Sequence, residues 1–170
     1  MFRRFLLGFF TSFIAGVLIS PSAFCYNTAD VVGSWQYEYF NHRGTDFPVD
    51  KNSLDLKFKF YEDGTGELHW ERRNVGVICD RKSIFEVREG NILYQKVTWL
   101  NPNNHVSCGE DNDMKMDTES LTKFDISGNI MTFHLDLSGE PLYYYLSRII
   151  PEQPKDPDPG SLPPEESACD

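Results

Sequence analysis

Residues Leu54-Asp55-Leu56-Lys57-Phe58-Lys59-Phe60 alternate apolar and charged side chains without a break. Successive side chains of an extended strand point to opposite faces, so this run has one face for a core and one for water. The chain then reaches Glu62-Asp63-Gly64-Thr65-Gly66, where Asp-Gly supplies the positive φ angles of a tight hairpin. It resumes as Glu67-Leu68-His69-Trp70-Glu71-Arg72, with Leu68 and Trp70 on one face and Glu67, His69 and Glu71 on the other. Two strands of matching period joined by a tight turn make a hairpin, and a hairpin with one apolar face requires further strands to cover it.

The same grammar recurs through residues 27–150, which contain no amphipathic helix. A strand from Val32 to Phe40 carries Trp35, Tyr37 and Tyr39 at alternate positions. A second hairpin joins 84–88 to 92–97 through Glu89-Gly90-Asn91. A third joins 121–126 to 130–137 through Ser127-Gly128-Asn129, with Met131, Phe133, Leu135 and Leu137 on one face. The last strand runs from Leu142 to Ile150 after Ser138-Gly139-Glu140-Pro141. About eight antiparallel strands in series, mostly joined by short turns, predict an all-β, up-and-down barrel, which closes on itself and leaves no edge exposed. Two long connections interrupt the series, 41–53 and 101–117, and loops of this length border a mouth or a binding edge.

Both ends of the chain read differently. Residues 1–25 combine Arg3 and Arg4, an apolar run from Phe5 to Ile19 and small residues around Pro21-Ser22-Ala23, the three parts of an export signal. Cleavage after Ala23 and cleavage after Cys25 both fit. The apolar run is short beside the ~20 residues of a membrane span, so contact with a membrane is expected only through an uncleaved leader. Residues 151–170 hold six prolines and six acidic residues, a composition that cannot bury enough surface to offset its ordering, and they read as a disordered tail. The domain organisation is therefore signal peptide 1–25, β domain 26–150 and acidic tail 151–170, exported to the periplasm or beyond.

Export places the four cysteines in an oxidising space. Cys79 and Cys108 lie within the domain, with no CxxC pair and no His at zinc spacing, and a bridge between them would close a loop of about 30 residues worth roughly 3 kcal/mol. Cys25 and Cys169 flank the domain. They tie the termini together if Cys25 survives cleavage, and otherwise Cys169 is a thiol free to link to another chain.

Gly33-Ser34-Trp35 opens the first strand, and Arg148 lies near the end of the last. This resembles the Gly-x-Trp motif that begins lipocalins and related calycin barrels, whose terminal Arg packs across the Trp and closes the barrel. The lipocalin Thr-Asp-Tyr motif is absent, so the resemblance is to a divergent bacterial lipocalin-like domain covering residues 30–150. It implies a barrel enclosing a small apolar or amphipathic ligand. Eight strands leave room for packed side chains or for one such molecule. The inward candidates are Trp35, Tyr37, Tyr39, Trp70, Arg72, Tyr144 and Arg148, an aromatic cup with cations that suits an amphipathic anion such as a fatty acid. In the alternative the aromatics fill the core and Arg148 caps Trp35 by a cation–π contact.

Other chemistry is sparse. The formal charge is −10, and removing Arg3 and Arg4 from the 16 basic residues leaves 14 against 26 acidic ones, or −12. Such a surface repels phosphate backbones, which argues against a nucleic-acid partner. The histidines His42, His69, His105 and His134 form no HxH, HxxH or HExxH pattern, and no nucleophile elbow or Gly-rich phosphate loop is present. The acidic run Glu110-Asp111-Asn112-Asp113 lacks the frame of a calcium loop. No metal, no cofactor and no catalytic residue is assigned. Three function classes remain: a ligand carrier of the cell envelope, an interaction or inhibitor module with a filled core, and an isomerase- or hydrolase-like enzyme that would need a buried His or carboxylate pair in the barrel mouth.

Overall fold

The computed structural model describes residues Cys25–Pro151. The leader and the acidic tail, with Cys169, lie outside the described residues. A four-residue helix, α1 (Thr28–Val31), is followed by nine strands: β1 (Gly33–His42), β2 (Thr45–Pro48), β3 (Leu54–Phe60), β4 (Thr65–Arg72), β5 (Val77–Arg88), β6 (Ile92–Leu100), β7 (Glu119–Ser127), β8 (Ile130–Leu137) and β9 (Glu140–Arg148). The sheet order is β2-β1-β3-β4-β5-β6-β7-β8-β9, and β1 also pairs with β9. That last pairing closes an antiparallel barrel of eight strands, with β2 appended to β1.

The expected alternation decides which side chains fill it. On β3, Phe58 and Phe60 are buried, and they join Phe85, Leu93, Phe124, Met131, Phe133 and Leu146 from the other strands in one core. This core occupies the end where the tight hairpins lie. Gly64 (φ 79°) and Asn91 (φ 59°) take the positive φ angles of two of those turns. Here α1, capped by Asn27 through a capping box with Asp30, lays Val31 over the barrel end at 0% exposure.

The opposite end is the mouth, and both long connections are found there. The first is not irregular. Asn41 accepts from Gly44 N and donates to Asp46, Arg43 and Gly44 adopt positive φ, and Thr45–Pro48 return along Tyr39–His42 as β2. No apolar alternation marks so short a strand, and all four of its residues are exposed. β2 takes the side of β1 that β3 would otherwise fill. As a result β1 pairs with β3 only over Gly33–Gln36, and Gln36 spans the junction by donating to Asp55 and to the Leu56 carbonyl.

β1 also breaks its own period. Its register against β9 slips between Tyr37 and Tyr39, a bulge at Glu38. The inserted residue reverses the alternation downstream. Trp35 and Tyr37 face the interior as expected, but Tyr39 is turned to the outer surface, where its ring stacks on Tyr145 at 4.4 Å, and Phe40 points inward in its place. The expectation that Tyr39 lies with Trp35 and Tyr37 is thus corrected.

The second connection, 101–118, runs on beside β5. Asn101 N donates to the Asp80 carbonyl, and His105 N donates to the Ile78 carbonyl. Asn104 is bonded to Asp80 N and O. Two short 3-10 turns, Val106–Glu110 and Asn112–Met114, then fold over the mouth. Cys108 forms the disulfide with Cys79 of β5 at a Cα–Cα distance of 5.8 Å, closing the loop of 29 residues that was expected. Cys79, Cys108, Val77 and Met114 make a second small core with Leu68, Trp70 and Leu100 packed on it.

Candidate functional site

The two residues that carry the lipocalin resemblance meet at the closed end. Trp35 is fully buried and donates from Nε1 to the Val31 carbonyl at 2.8 Å. The Arg148 guanidinium lies 4.1 Å from the Trp35 ring centroid and donates to the carbonyls of Val32 (2.6 Å) and Asp30 (2.8 Å). Arg148 therefore pins α1 across the barrel end. Gly33 is required there: a Cβ at this position would sit 2.7 Å from Arg148 Nη1, and its φ of +131° suits only glycine. Trp35 and Arg148 are a plug rather than the wall of a cavity, the alternative weighed for this pair.

The mouth half is hollow. A cavity of about 600 Å³ is lined by Tyr37, Phe40, Leu54, Leu56, Phe58, Leu68, Trp70, Leu135, Leu142 and Tyr144, with Arg72 and Leu137 at its rim and Asp111, Asp113 and Met114 of the covering segment above it. Pockets of roughly 300–1,000 Å³ with mostly apolar walls suit small organic molecules. Four of the seven sequence candidates, Tyr37, Trp70, Arg72 and Tyr144, converge here. Arg72 stacks over Trp70 at 4.6 Å. The rings of Tyr37 and Tyr144 lie 4.7 Å apart. Burial, and then coupling to Tyr144, pushes the Tyr37 phenol well above its ordinary pKa. Burial likewise raises Tyr144, with Asp111 and Asp113 adding to it. Both are neutral hydroxyls at any physiological pH; they are hydrogen-bonded to each other with Tyr37 as donor, which leaves the Tyr144 proton free.

A buried polar strip on β5 and β6, none of which lines the cavity, was missed by sequence reasoning. β5 begins at Val77, seven residues before the strand read from the sequence, and its buried positions are Val77, Cys79, Arg81, Ser83 and Phe85. Arg81 is 6% exposed, Ser83 3%, and Gln95 on neighbouring β6 6%. Arg81 Nε is buried with no hydrogen-bond partner. Burial lowers the Arg81 pKa, and the charges of Asp113 and Asp111 act against that. The signal in the sequence was the same alternation, Val77-Ile78-Cys79-Asp80-Arg81-Lys82-Ser83. Polar residues on its inner face hid it, because a pattern search scores apolar positions.

Outside the barrel, Asp55, His69 and Glu71 place ligating atoms within 4.8 Å of one another. Positive charge already fills the group. Arg73 donates to Asp55 (2.7 Å) and Glu71 (3.1 Å), and Lys57 donates to Asp55 (2.7 Å), while His69 Nδ1 is 2.7 Å from Asp80. This is an ion network on the sheet surface. The acidic run 110–113 is not gathered around a common centre with the carboxylates that follow it: Asp111 and Asp113 border the cavity, while Asp117 and Glu119 lie beside Lys96 at 3.5 and 3.8 Å. Cys25 is free and exposed.

No protein-family model matches the chain, and no curated protein is significantly similar to it.

Proposed function

We propose that the chain is an exported, lipocalin-like carrier that holds one small amphipathic molecule in the mouth half of its barrel. The observation that carries this reading is the division of the interior. One half is packed and plugged by Trp35 and Arg148, and the other keeps about 600 Å³ between apolar walls. A barrel of eight strands can be filled by its own side chains. Leaving half of it open gives up core packing, and ligand burial is the function that uses such a space. The cup of Trp70, Phe40, Tyr37 and Tyr144 supplies the apolar contact, and the Tyr144 hydroxyl supplies a directional donor. Export is supported by the leader sequence and by the Cys79–Cys108 bridge, since disulfides persist in oxidising compartments.

The test is titration of the purified domain with N-phenylnaphthylamine, a neutral probe that fluoresces in apolar surroundings, together with native mass spectrometry of material as isolated. Saturable binding of one probe per chain, lost in Trp70→Ala, is expected. Probe binding that is absent or unaffected by Trp70→Ala refutes the reading.

A further inference from the structure

We infer that the mouth cavity takes an organic cation: an ammonium head sits between the aromatic rings of the cup and the carboxylates of Asp111 and Asp113, with its apolar body against the inner walls. The inference rests on the carrier reading above and names the chemistry of its ligand.

The sign of the ligand follows from which charged groups line the cavity. Among the described residues these are Asp111, Asp113 and Arg72. The two arginines that point to an anion in the sequence are otherwise engaged. Arg148 belongs to the plug at the far end, 4.1 Å from the Trp35 ring. Arg72 is exposed at the rim, with its guanidinium already 4.6 Å from the Trp70 ring centroid. Buried Arg81 feels the same two aspartates but does not line the cavity. Neither aspartate has an ion-pair partner among the described residues. The hydrogen bond they do make is local, Asp111 Oδ1 accepting from Asp113 N at 2.9 Å.

The rings supply the other half of the site. Tyr37, Phe40, Trp70 and Tyr144 line the same space, with the Tyr37 and Tyr144 rings 4.7 Å apart and those of Phe40 and Tyr144 6.4 Å apart. An ammonium within about 6 Å of a ring centroid is attracted to the negative face of the ring, and more strongly once desolvated. An anion placed here meets the same ring faces and both carboxylates, and each repels it. The carboxylates are also held in position before any ligand arrives. Cys108 is bonded to Cys79 of β5, Met114 is buried in the second core, and Asp111 and Asp113 lie on the chain between these two anchors. Such preorganisation lowers the ordering cost of binding. Their charges act on Tyr144, so the field extends into the cup. At longer range the formal charge of −10 draws cations towards the chain and repels anions.

Displacement of N-phenylnaphthylamine by dodecyltrimethylammonium, dodecanol and dodecanoate, each below its micelle concentration, tests the assignment. The three share one chain length and differ in the charge of the head. The wild type is expected to prefer the ammonium over the alcohol by ~10-fold or more, the range of one desolvated cation–π contact, and to bind dodecanoate most weakly. Asp111→Asn with Asp113→Asn should cut the preference for the ammonium several-fold. Asn keeps the Oδ1 that accepts from Asp113 N, so the turn survives. Arg72→Met removes the rim cation and uncovers the Trp70 face, and it should tighten ammonium binding. If the double Asn variant fails to fold, Arg72→Met decides: ammonium binding that is unchanged or weaker overturns the inference. Probe binding with no preference for the ammonium, a preference for dodecanoate, or an ammonium preference undiminished in the double Asn variant overturns it while leaving the carrier reading intact. Absence of any probe binding removes both.

Discussion

Arg148→Ala removes the device that holds the closed end, and its effect can be worked from the contacts. Two hydrogen bonds from a charged donor are lost, to Val32 O at 2.6 Å and Asp30 O at 2.8 Å. Bonds to charged groups contribute ~1.5–3 kcal/mol each in mutational series, and removing the donor leaves two carbonyls at the barrel end in need of water. The cation–π contact with Trp35, at 4.1 Å, adds about 1 kcal/mol. These contributions share one side chain and do not add fully, so the expected loss is about 3–5 kcal/mol. For a domain of this size each kcal/mol moves Tm by roughly 3–5 °C, so a drop of ~10–25 °C is expected in a thermal melt followed by dichroism. Arg148→Lys should recover only part, because a point ammonium cannot serve both carbonyls and the ring with the same planar fork. Indole fluorescence provides a second reading, since freeing α1 opens Trp35 to water. A Tm within about 2 °C of wild type, with Trp35 still shielded from quencher, would refute the plug.

Further outcomes follow from the same structure. Replacing Cys79 and Cys108 together by Ala should cost about 3.5 kcal/mol by the loop-entropy relation and speed probe dissociation, because the segment over the mouth loses its anchor; stopped-flow release measures the second effect. Tyr39→Ser should leave probe affinity unchanged, since its ring is stacked on Tyr145 outside the barrel, and a loss of affinity in titration would contradict the bulge. Gly33→Ala should destabilise by more than about 1 kcal/mol in urea unfolding, through its positive φ and its approach to Arg148. Asp55 sets an acid limit. Burial alone would raise its pKa, but hydrogen bonds from Lys57 and Gln36 and the charges of Lys57 and Arg73 outweigh that and hold it below the ordinary value. A depressed folded pKa gives stability that is present above the unfolded value near ~3.9 and lost as pH falls through the folded one. Asp55→Asn should therefore be less stable than wild type at neutral pH, and the gap should close as pH falls through the depressed folded pKa of Asp55, as read from urea midpoints across pH.

Much of the fold was legible because period-two burial is a local property. The alternation of Leu54–Phe60 and of Met131–Leu137, with Asp-Gly and Gly-Asn between runs, specified hairpins that the register pairs bear out as Phe58↔Leu68 and Phe133↔Phe124. The Cys79–Cys108 bridge was legible by elimination among four cysteines. Other features were not. β2 is four exposed residues with no pattern of their own, formed only because the Asn41-to-Asp46 turn sends the chain back along β1. The start of β5 was hidden because Arg81 and Ser83 occupy inner positions where apolar residues are expected.

The sequence by itself determined that this chain builds antiparallel strands with one apolar face, and that Trp35 and Arg148 stand at the two ends of the series. Local chemistry suffices for that, since side-chain alternation and turn conformations depend on neighbours along the chain. Only the tertiary structure decided which residues share the interior. One bulge at Glu38 sent Tyr39 out and Phe40 in, and closure of β1 on β9 placed Tyr37 beside Tyr144. The fold also carried Asp111 and Asp113 to within the field of Arg81. Those relations join residues distant in the chain, and register, bulges and closure fix them through the packing of the whole barrel.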